Sequence, residues 1–351
     1  MAEEIRVGII GFGLAGSVFH APLIAHTPGL RLAAIVTRDP EKIAAAEQLY
    51  PGVQAFKSAD DLITADAIDV AVVATPNAFH VPISKQAIKA GIAVVVDKPI
   101  AIDSVSAQSV VDLAKENDVL LTVFQNRRWD GDFLTLKSLL EQHELGKIAR
   151  FESRFERWRP VPKGGWRETV SPAEGGGLLF DLGAHLIDQA VQLFGPVNDI
   201  YAEIDRTREN ITADDDVFLA LTHDNGVRSH LYASAVAADL GPRFRVLGTA
   251  GAYTTYGLDV QEAALRAGEV PRAGWGRVPD ADFGYLSGKS ETPRPIPTLP
   301  GDYPQFYRLL ERAIRGEGPI PVDPRDAVYT LRVIEAARNA WANASRQTVL
   351  P

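Results

Sequence analysis

Hydrophobic positions in the first third of the chain fall into short runs at 5–10, 30–36, 53–56, 68–74, 93–96 and 119–124. Several of these runs are apolar without a break, the pattern of strands buried on both faces of a parallel sheet. Between them, residues 14–26, 39–49, 58–64, 81–90 and 103–117 carry helical spacing, and Asp103-Ser104 supplies a start signal for the last. Strand–helix alternation of this kind predicts a doubly wound α/β domain.

After Phe124 the pattern changes. A helix is expected over 131–143, then alternating polar and apolar positions at 148–154, 199–203, 217–222, 227–233 and 243–248. Such alternation predicts an open, mostly antiparallel sheet with one face solvated or covered by a partner. Residues 268–301 are rich in Pro and Gly and read as a long ordered loop. Two amphipathic helices close the chain, one carrying Phe306, Leu309, Leu310, Ala313 and Ile314, the other Val328, Leu331, Ile334, Ala337 and Trp341. The expected division is 1–124 and 125–351, with the closing helices free to pack back on the first domain.

Composition narrows the function classes. A chain of 351 residues, 46% hydrophobic and 23% charged, is globular and long enough for two cores. The net charge of −9 argues against a nucleic-acid surface, so an anionic ligand must be held by local Arg and Lys groups. Zero cysteines exclude disulfides, a thiolate nucleophile and Cys-ligated zinc. No apolar run is long enough to span a membrane. The acidic Met1-Ala2-Glu3-Glu4 start carries no secretory signal, and a cytoplasmic enzyme is expected.

Gly11-Phe12-Gly13-Leu14-Ala15-Gly16 lies directly between the first apolar run and the first helical stretch. In that setting Gly11 permits the tight turn, Gly13 admits a pyrophosphate to the backbone, and Gly16 lets the helix pack on its strand. The phosphates would sit on the free N–H groups of the helix. At the end of the second run, where NAD-binding folds present a carboxylate for the ribose 2′-hydroxyl, this chain has Thr37-Arg38. A hydroxyl and a guanidinium can both donate to the 2′-phosphate of NADP. The alternative is that Arg38 is only solvated and Asp39 contacts the ribose.

Two further turns follow strand ends: Ala74-Thr75-Pro76-Asn77 after the fourth run and Asp97-Lys98-Pro99 after the fifth. Carboxyl ends of parallel strands line the ligand crevice. The Lys98 ammonium could there hydrogen-bond a substrate oxygen, or be a surface lysine. In Gly175-Gly176-Gly177-Leu178-Leu179-Phe180-Asp181-Leu182-Gly183-Ala184-His185, Asp181 and His185 share one helix face. The pair suits proton transfer, or equally a histidine capping a core beside an exposed carboxylate. No third ligand with metal-site spacing accompanies it.

Together the glycine turn, Thr75-Pro76-Asn77, Asp97-Lys98-Pro99 and Asp181-x-x-x-His185 resemble the Gfo/Idh/MocA oxidoreductases over nearly the whole chain. The family's Glu-Lys-Pro is Asp-Lys-Pro here, which keeps the charge. The resemblance implies an N-terminal Rossmann domain, a C-terminal α/β domain and a catalytic group of Lys98, Asp181 and His185. Expected at the cofactor are Gly11, Phe12, Gly13, Leu14, Gly16, Thr37, Arg38, Ala74, Thr75, Pro76, Asn77, His80 and Lys98.

More narrowly, Gly16-Ser17-Val18-Phe19-His20-Ala21-Pro22, Gln125-Asn126-Arg127-Arg128-Trp129-Asp130 and Trp166-Arg167-Glu168 look like the NADP-dependent scyllo-inositol dehydrogenases. Arg127, Trp129, Arg159, Trp166 and Arg167 become candidates for the substrate site, each weighed against ordinary packing and ion pairing. The expectation is NADP(H)-dependent interconversion of alcohol and ketone on a cyclitol or sugar, in a homo-oligomer (dimer or tetramer). The alternatives are a dehydrogenase of another sugar or diol, a redox-assisted glycosidase, and an NADP-binding sensor. Retention of Lys98, Asp181 and His185 together argues against the sensor.

Overall fold

The structure is a computed structural model that describes residues 3–288, 290 and 292–343, with only the backbone described at Trp166 and Arg167. Two compact units divide the chain, each assembled from separate stretches: Met1–Leu134, Asp259–Val278 and Thr298–Val328 form one, and Thr135–Leu258, Pro279–Pro297 and Tyr329–Pro351 the other.

The first unit is a parallel six-stranded sheet of β1 (Ile5–Ile10), β2 (Leu30–Val36), β3 (Gln54–Phe56), β4 (Val70–Val73), β5 (Ala93–Asp97) and β6 (Leu121–Phe124). Its order is β3-β2-β1-β4-β5-β6, so the chain reverses direction of growth between β1 and β4, the switch point where doubly wound sheets bind ligands. Every residue of β4, and Val94 to Val96 of β5, is shielded from solvent on both faces. That is why these strands are apolar without alternation.

A single cut at residue 124 does not describe this unit. Residues 259–278 and 298–328 return to it through specific bonds. Gly131 N–H donates to Asp259 Oδ2 at 2.8 Å, Tyr303 N–H donates to Gln261 Oε1 at 2.7 Å, and Thr122 Oγ1 donates to the Val322 carbonyl at 2.8 Å. Phe306, on the helix Pro304–Ile314, packs edge-on against Phe124 of β6 at 4.9 Å.

The second unit carries an eight-stranded sheet: β7 (Ile148–Glu156), β8 (Val197–Asp205), β9 (Asp216–His223), β10 (Arg228–Ser234), β11 (Phe244–Gly248), β12 (Ala252–Thr255), β13 (Gly284–Ser287) and β14 (Arg294–Ile296). The order is β14-β13-β12-β11-β7-β10-β9-β8, with β7 and β10 parallel and the other neighbours antiparallel. Helix Ala184–Phe194 covers one face, where Phe194 meets Phe151 with ring centroids 5.3 Å apart. The other face presents Tyr201, Glu203, Phe218, Tyr232 and Arg154, the Arg154 guanidinium lying 4.4 Å over the Tyr232 ring.

The expected long loop at 268–301 is corrected: it contains β13 and β14, and it is preceded by a helix, Gln261–Arg266. Strands of 4 and 3 residues are too short to show a period. Their order comes from pairing at the sheet edge, where Pro295 can lack an N–H without breaking a ladder.

Candidate active site

The turn after β1 distributes its glycines by what a side chain would meet. Gly11 has φ +101°, and a Cβ there would stand 2.6 Å from the Ala74 carbonyl oxygen, so the turn is pressed against the loop leaving β4. A Cβ at Gly16 would collide with the Gly11 carbonyl, whereas nothing lies within 4 Å of one at Gly13. Gly13 is therefore the open face of the turn. Phe12 is buried and Leu14 half exposed. The helix that follows opens with a wide π turn, Ala15–His20, in which Ala21 N–H reaches the Gly16 carbonyl five residues back. Nearby, Thr75 Oγ1 is buried without a hydrogen-bond partner among the described residues. An open glycine cradle and an unsatisfied buried hydroxyl fit a phosphate-bearing dinucleotide.

At the end of β2, Thr37 N–H donates to the Phe56 carbonyl at 3.1 Å, and its Oγ1 accepts from Asp39 N–H at 3.3 Å. The Asp39 carboxylate caps the next helix, Oδ1 accepting from Glu41 and Lys42 N–H at 3.0 and 3.4 Å. Arg38 is exposed, and its Nε donates to the Lys57 carbonyl at 3.1 Å. The carboxylate that could have read a ribose is thus engaged as a helix cap.

The loops leaving β4 and β5 are joined by His80. Its Nδ1 lies 2.7 Å from the Pro99 carbonyl and its Nε2 2.8 Å from the Thr75 carbonyl. Both ring nitrogens face a backbone carbonyl in the structure. Asn77 is buried and Pro76 exposed in the first loop. In the second, Lys98 is half-buried and its N–H donates to Asp97 Oδ1 at 2.8 Å.

Arg127 is 8% exposed and committed within its own unit, donating to Glu262 and lying 3.4 Å from both Asp130 and Tyr303. Burial opposes its charge, but Tyr303, Asp130 and Glu262 outweigh that and raise its pKa. Trp129 packs on Phe306 at 5.8 Å.

In the second unit, a π turn at Leu179–Gly183 carries Asp181 and runs directly into the helix Ala184–Phe194 that carries His185. His185 is 6% exposed and its ring lies 6.2 Å from that of Phe155. Asp181 is 4.0 Å from the guanidinium of Arg157, a residue that no motif in the chain singles out. Asp214 holds the start of this segment, its Oδ2 accepting from Leu179 N–H at 2.7 Å and its carbonyl from Leu178 N–H at 3.0 Å. Burial pushes the Asp214 carboxyl above the usual range, against the pull of those N–H groups and the Arg338 charge. Gly177, φ +98°, sits so close that a Cβ would collide with Asp214 Oδ1.

Arg159 is exposed, and its carbonyl accepts from Arg208 at 3.0 Å. Trp166 and Arg167 occupy the short helix Trp166–Thr169, but their side chains lie outside the described residues. Glu168 beside them holds a loop, accepting from the backbone of Lys163 and Gly164 at 2.8 and 2.9 Å and pairing with buried Arg208 at 3.0 Å.

Comparison with known proteins agrees with both units. Residues 5–125 match the model of an oxidoreductase family with an NAD-binding Rossmann fold, and 133–254 match the Gfo/Idh/MocA C-terminal domain. Oxidoreductase YdgJ of Escherichia coli, uncharacterized, is 39% identical, the alignment covering 95% of this chain and 96% of YdgJ. IolW of Bacillus subtilis, a scyllo-inositol 2-dehydrogenase (NADP(+)), is 34% identical over 95% of this chain and 93% of its own. A crystal structure of an oxidoreductase from Bacillus cereus superposes with a TM-score of 0.85 at 30% identity, covering 99% of each chain. The chain belongs to the Gfo/Idh/MocA oxidoreductases, and it is a dehydrogenase or reductase.

Proposed function

We propose that this enzyme interconverts a secondary alcohol and a ketone on a cyclitol or sugar with NADP(H), and that scyllo-inositol and its inosose are its best pair. The observation that carries the reading is the end of β2: Arg38 stands exposed there while Asp39, the nearest carboxylate, caps a helix. An exposed guanidinium that can meet a 2′-phosphate, with the nearby carboxylate turned to the helix start, supports NADP over NAD. The name of IolW points the same way.

NADP, when bound, supplies the acceptor for the hydride leaving the carbinol carbon. The protein's part is to hold and move the proton. The His185 imidazole takes the proton of the substrate hydroxyl, and Lys98 Nζ donates to the same oxygen as it becomes a carbonyl. Asp181, itself placed beside Arg157, supports the site with its carboxylate. Gly11, Phe12, Gly13, Leu14 and Gly16, together with Ala74 to Asn77, form the cradle. Trp129, Arg159, Trp166 and Arg167 are the remaining candidates for the polyol. Arg127 serves the site through its ion pairs. Assembly as a homo-oligomer is part of the same reading, supported by the aromatic open sheet face.

The test is the initial rate of NADPH oxidation across inososes, ketoses, aromatic diketones and simple ketones, with the reverse reaction measured on the matching alcohols. Inososes should lead, and monohydroxy alcohols should be very poor, because a site built of directional donors leaves costly unpaired groups around them. A clear preference for an aromatic or simple carbonyl would reject the cyclitol assignment.

A further inference from the structure

Two loops at the carboxyl ends of adjacent strands carry unlike parts of the proposed site. The loop after β4 offers Thr75, Pro76 and Asn77, and the loop after β5 offers Lys98. Neither loop has a ladder bond to the other beyond the strands, since the β4·β5 register ends at Val73 and Val96. One imidazole spans them. His80 begins the helix His80–Lys89, is 1% exposed, and reaches a carbonyl in each loop, Thr75 at 2.8 Å and Pro99 at 2.7 Å. The Pro99 carbonyl is one residue past Lys98, so holding it fixes the backbone from which the lysine projects.

We propose that His80 is a positioning residue, which ties the Thr75 turn to the Pro99 turn and thereby sets where Lys98 stands relative to the cofactor cradle. This rests on the role proposed above for Lys98. Carbonyl oxygens only accept, so the imidazole donates through a ring N–H and sets its other edge against the second carbonyl, a span that few side chains of this size can make. Glutamine can keep one contact. Alanine keeps neither. Arg38 is held by its own bond to the Lys57 carbonyl, and the glycine turn by Phe12 N–H donating to the Val36 carbonyl at 3.3 Å, although Gly11 also packs on the loop that carries Thr75.

The experiment compares His80→Ala and His80→Gln with the wild type by three readouts. Amide hydrogen exchange on the protein without cofactor should accelerate at Lys98, Ile100 and Ala101 in His80→Ala, and not across residues 11–16. Affinity for 2′-phospho-ADP-ribose, which lacks the nicotinamide, should fall less than the turnover number. The turnover number should fall by about ten- to a hundredfold, the scale expected when a reacting group is misplaced by about 1 Å, and His80→Gln should recover part of it. Unchanged exchange at 98–101 in either variant overturns the proposal, as does a uniform loss of exchange protection and fragment affinity. If His80→Ala does not fold, His80→Gln carries the same readouts at smaller amplitude, and wild-type values in it overturn the proposal. A wild type that binds the fragment yet turns over no inosose or sugar would instead reject the proposed function, leaving the exchange result to decide His80.

Discussion

His20 shows how far one buried side chain can bias the whole chain's response to pH. It is fully buried, packs 4.3 Å from the Phe124 ring, and lies with Nδ1 2.6 Å from the Tyr307 hydroxyl. Burial lowers its pKa to about 4, with the charge of His80 adding to the fall and that of Asp97 opposing it. The folded protein therefore keeps His20 neutral where the unfolded chain, near 6.5, takes up a proton. Stability from this group is intact above pH 6.5 and is lost as the pH falls towards 4, by on the order of 3 kcal/mol. Urea midpoints between pH 7 and 4 should drop less steeply in His20→Gln than in the wild type; parallel curves would refute the assignment. His185 makes a different demand. His185→Ala should lower turnover by roughly 10²–10⁴-fold with cofactor affinity little changed, the size of a general acid–base contribution. Near-normal turnover would remove His185 from the mechanism.

At the scale of elements, the helix carrying His185 is placed by a carboxylate at its start and a glycine that makes room for it. Gly177→Ala would force φ +98° on a residue with a Cβ and drive that Cβ into Asp214. The expected loss is at least about 1–3 kcal/mol, and the double variant with Asp214→Ala should be less destabilised than the sum of the two singles. Additive losses in thermal or urea unfolding would show that the two residues act separately. Elements of this kind mark where sequence reading stops. Strands β4 and β5 were legible because burial on both faces leaves an almost unbroken apolar record, whereas β3, with Gln54 and Ala55 exposed, was legible only from the strand–helix alternation around it. The glycine turn was legible because its spacing and its place after a strand together specify a mechanism. The strands β13 and β14 were not, since a partner strand rather than a period orders them. Nor were the π turns at 15–20 and 179–183, which differ from α-helix only in hydrogen-bond reach. For Arg127 the sequence offered both a substrate-site role and ion pairing; Asp130 lies three residues away, but the partner Glu262 is remote in sequence and not legible there. Nothing in the spacing of His80 shows that carbonyls from two loops flank its ring.

At the scale of the molecule, each unit brings a different competence. The first supplies a cradle with the geometry for a dinucleotide, and the second supplies the proton-transfer candidates on a helix backed by an eight-stranded sheet. Among the described residues no helix is long and apolar enough to cross a membrane. Whether this family member works with NADP on a polyol ring can be decided by a single pair of rate comparisons. These are kcat/KM for scyllo-inosose with NADPH and with NADH, in the wild type and in Arg38→Ala. The wild type should favour NADPH, and the substitution should cost about ten- to a hundredfold with NADPH, the worth of one charged hydrogen bond to phosphate, while barely changing NADH. A wild type that favours NADH, an equal loss with both cofactors, or no turnover of the inosose would contradict the assignment.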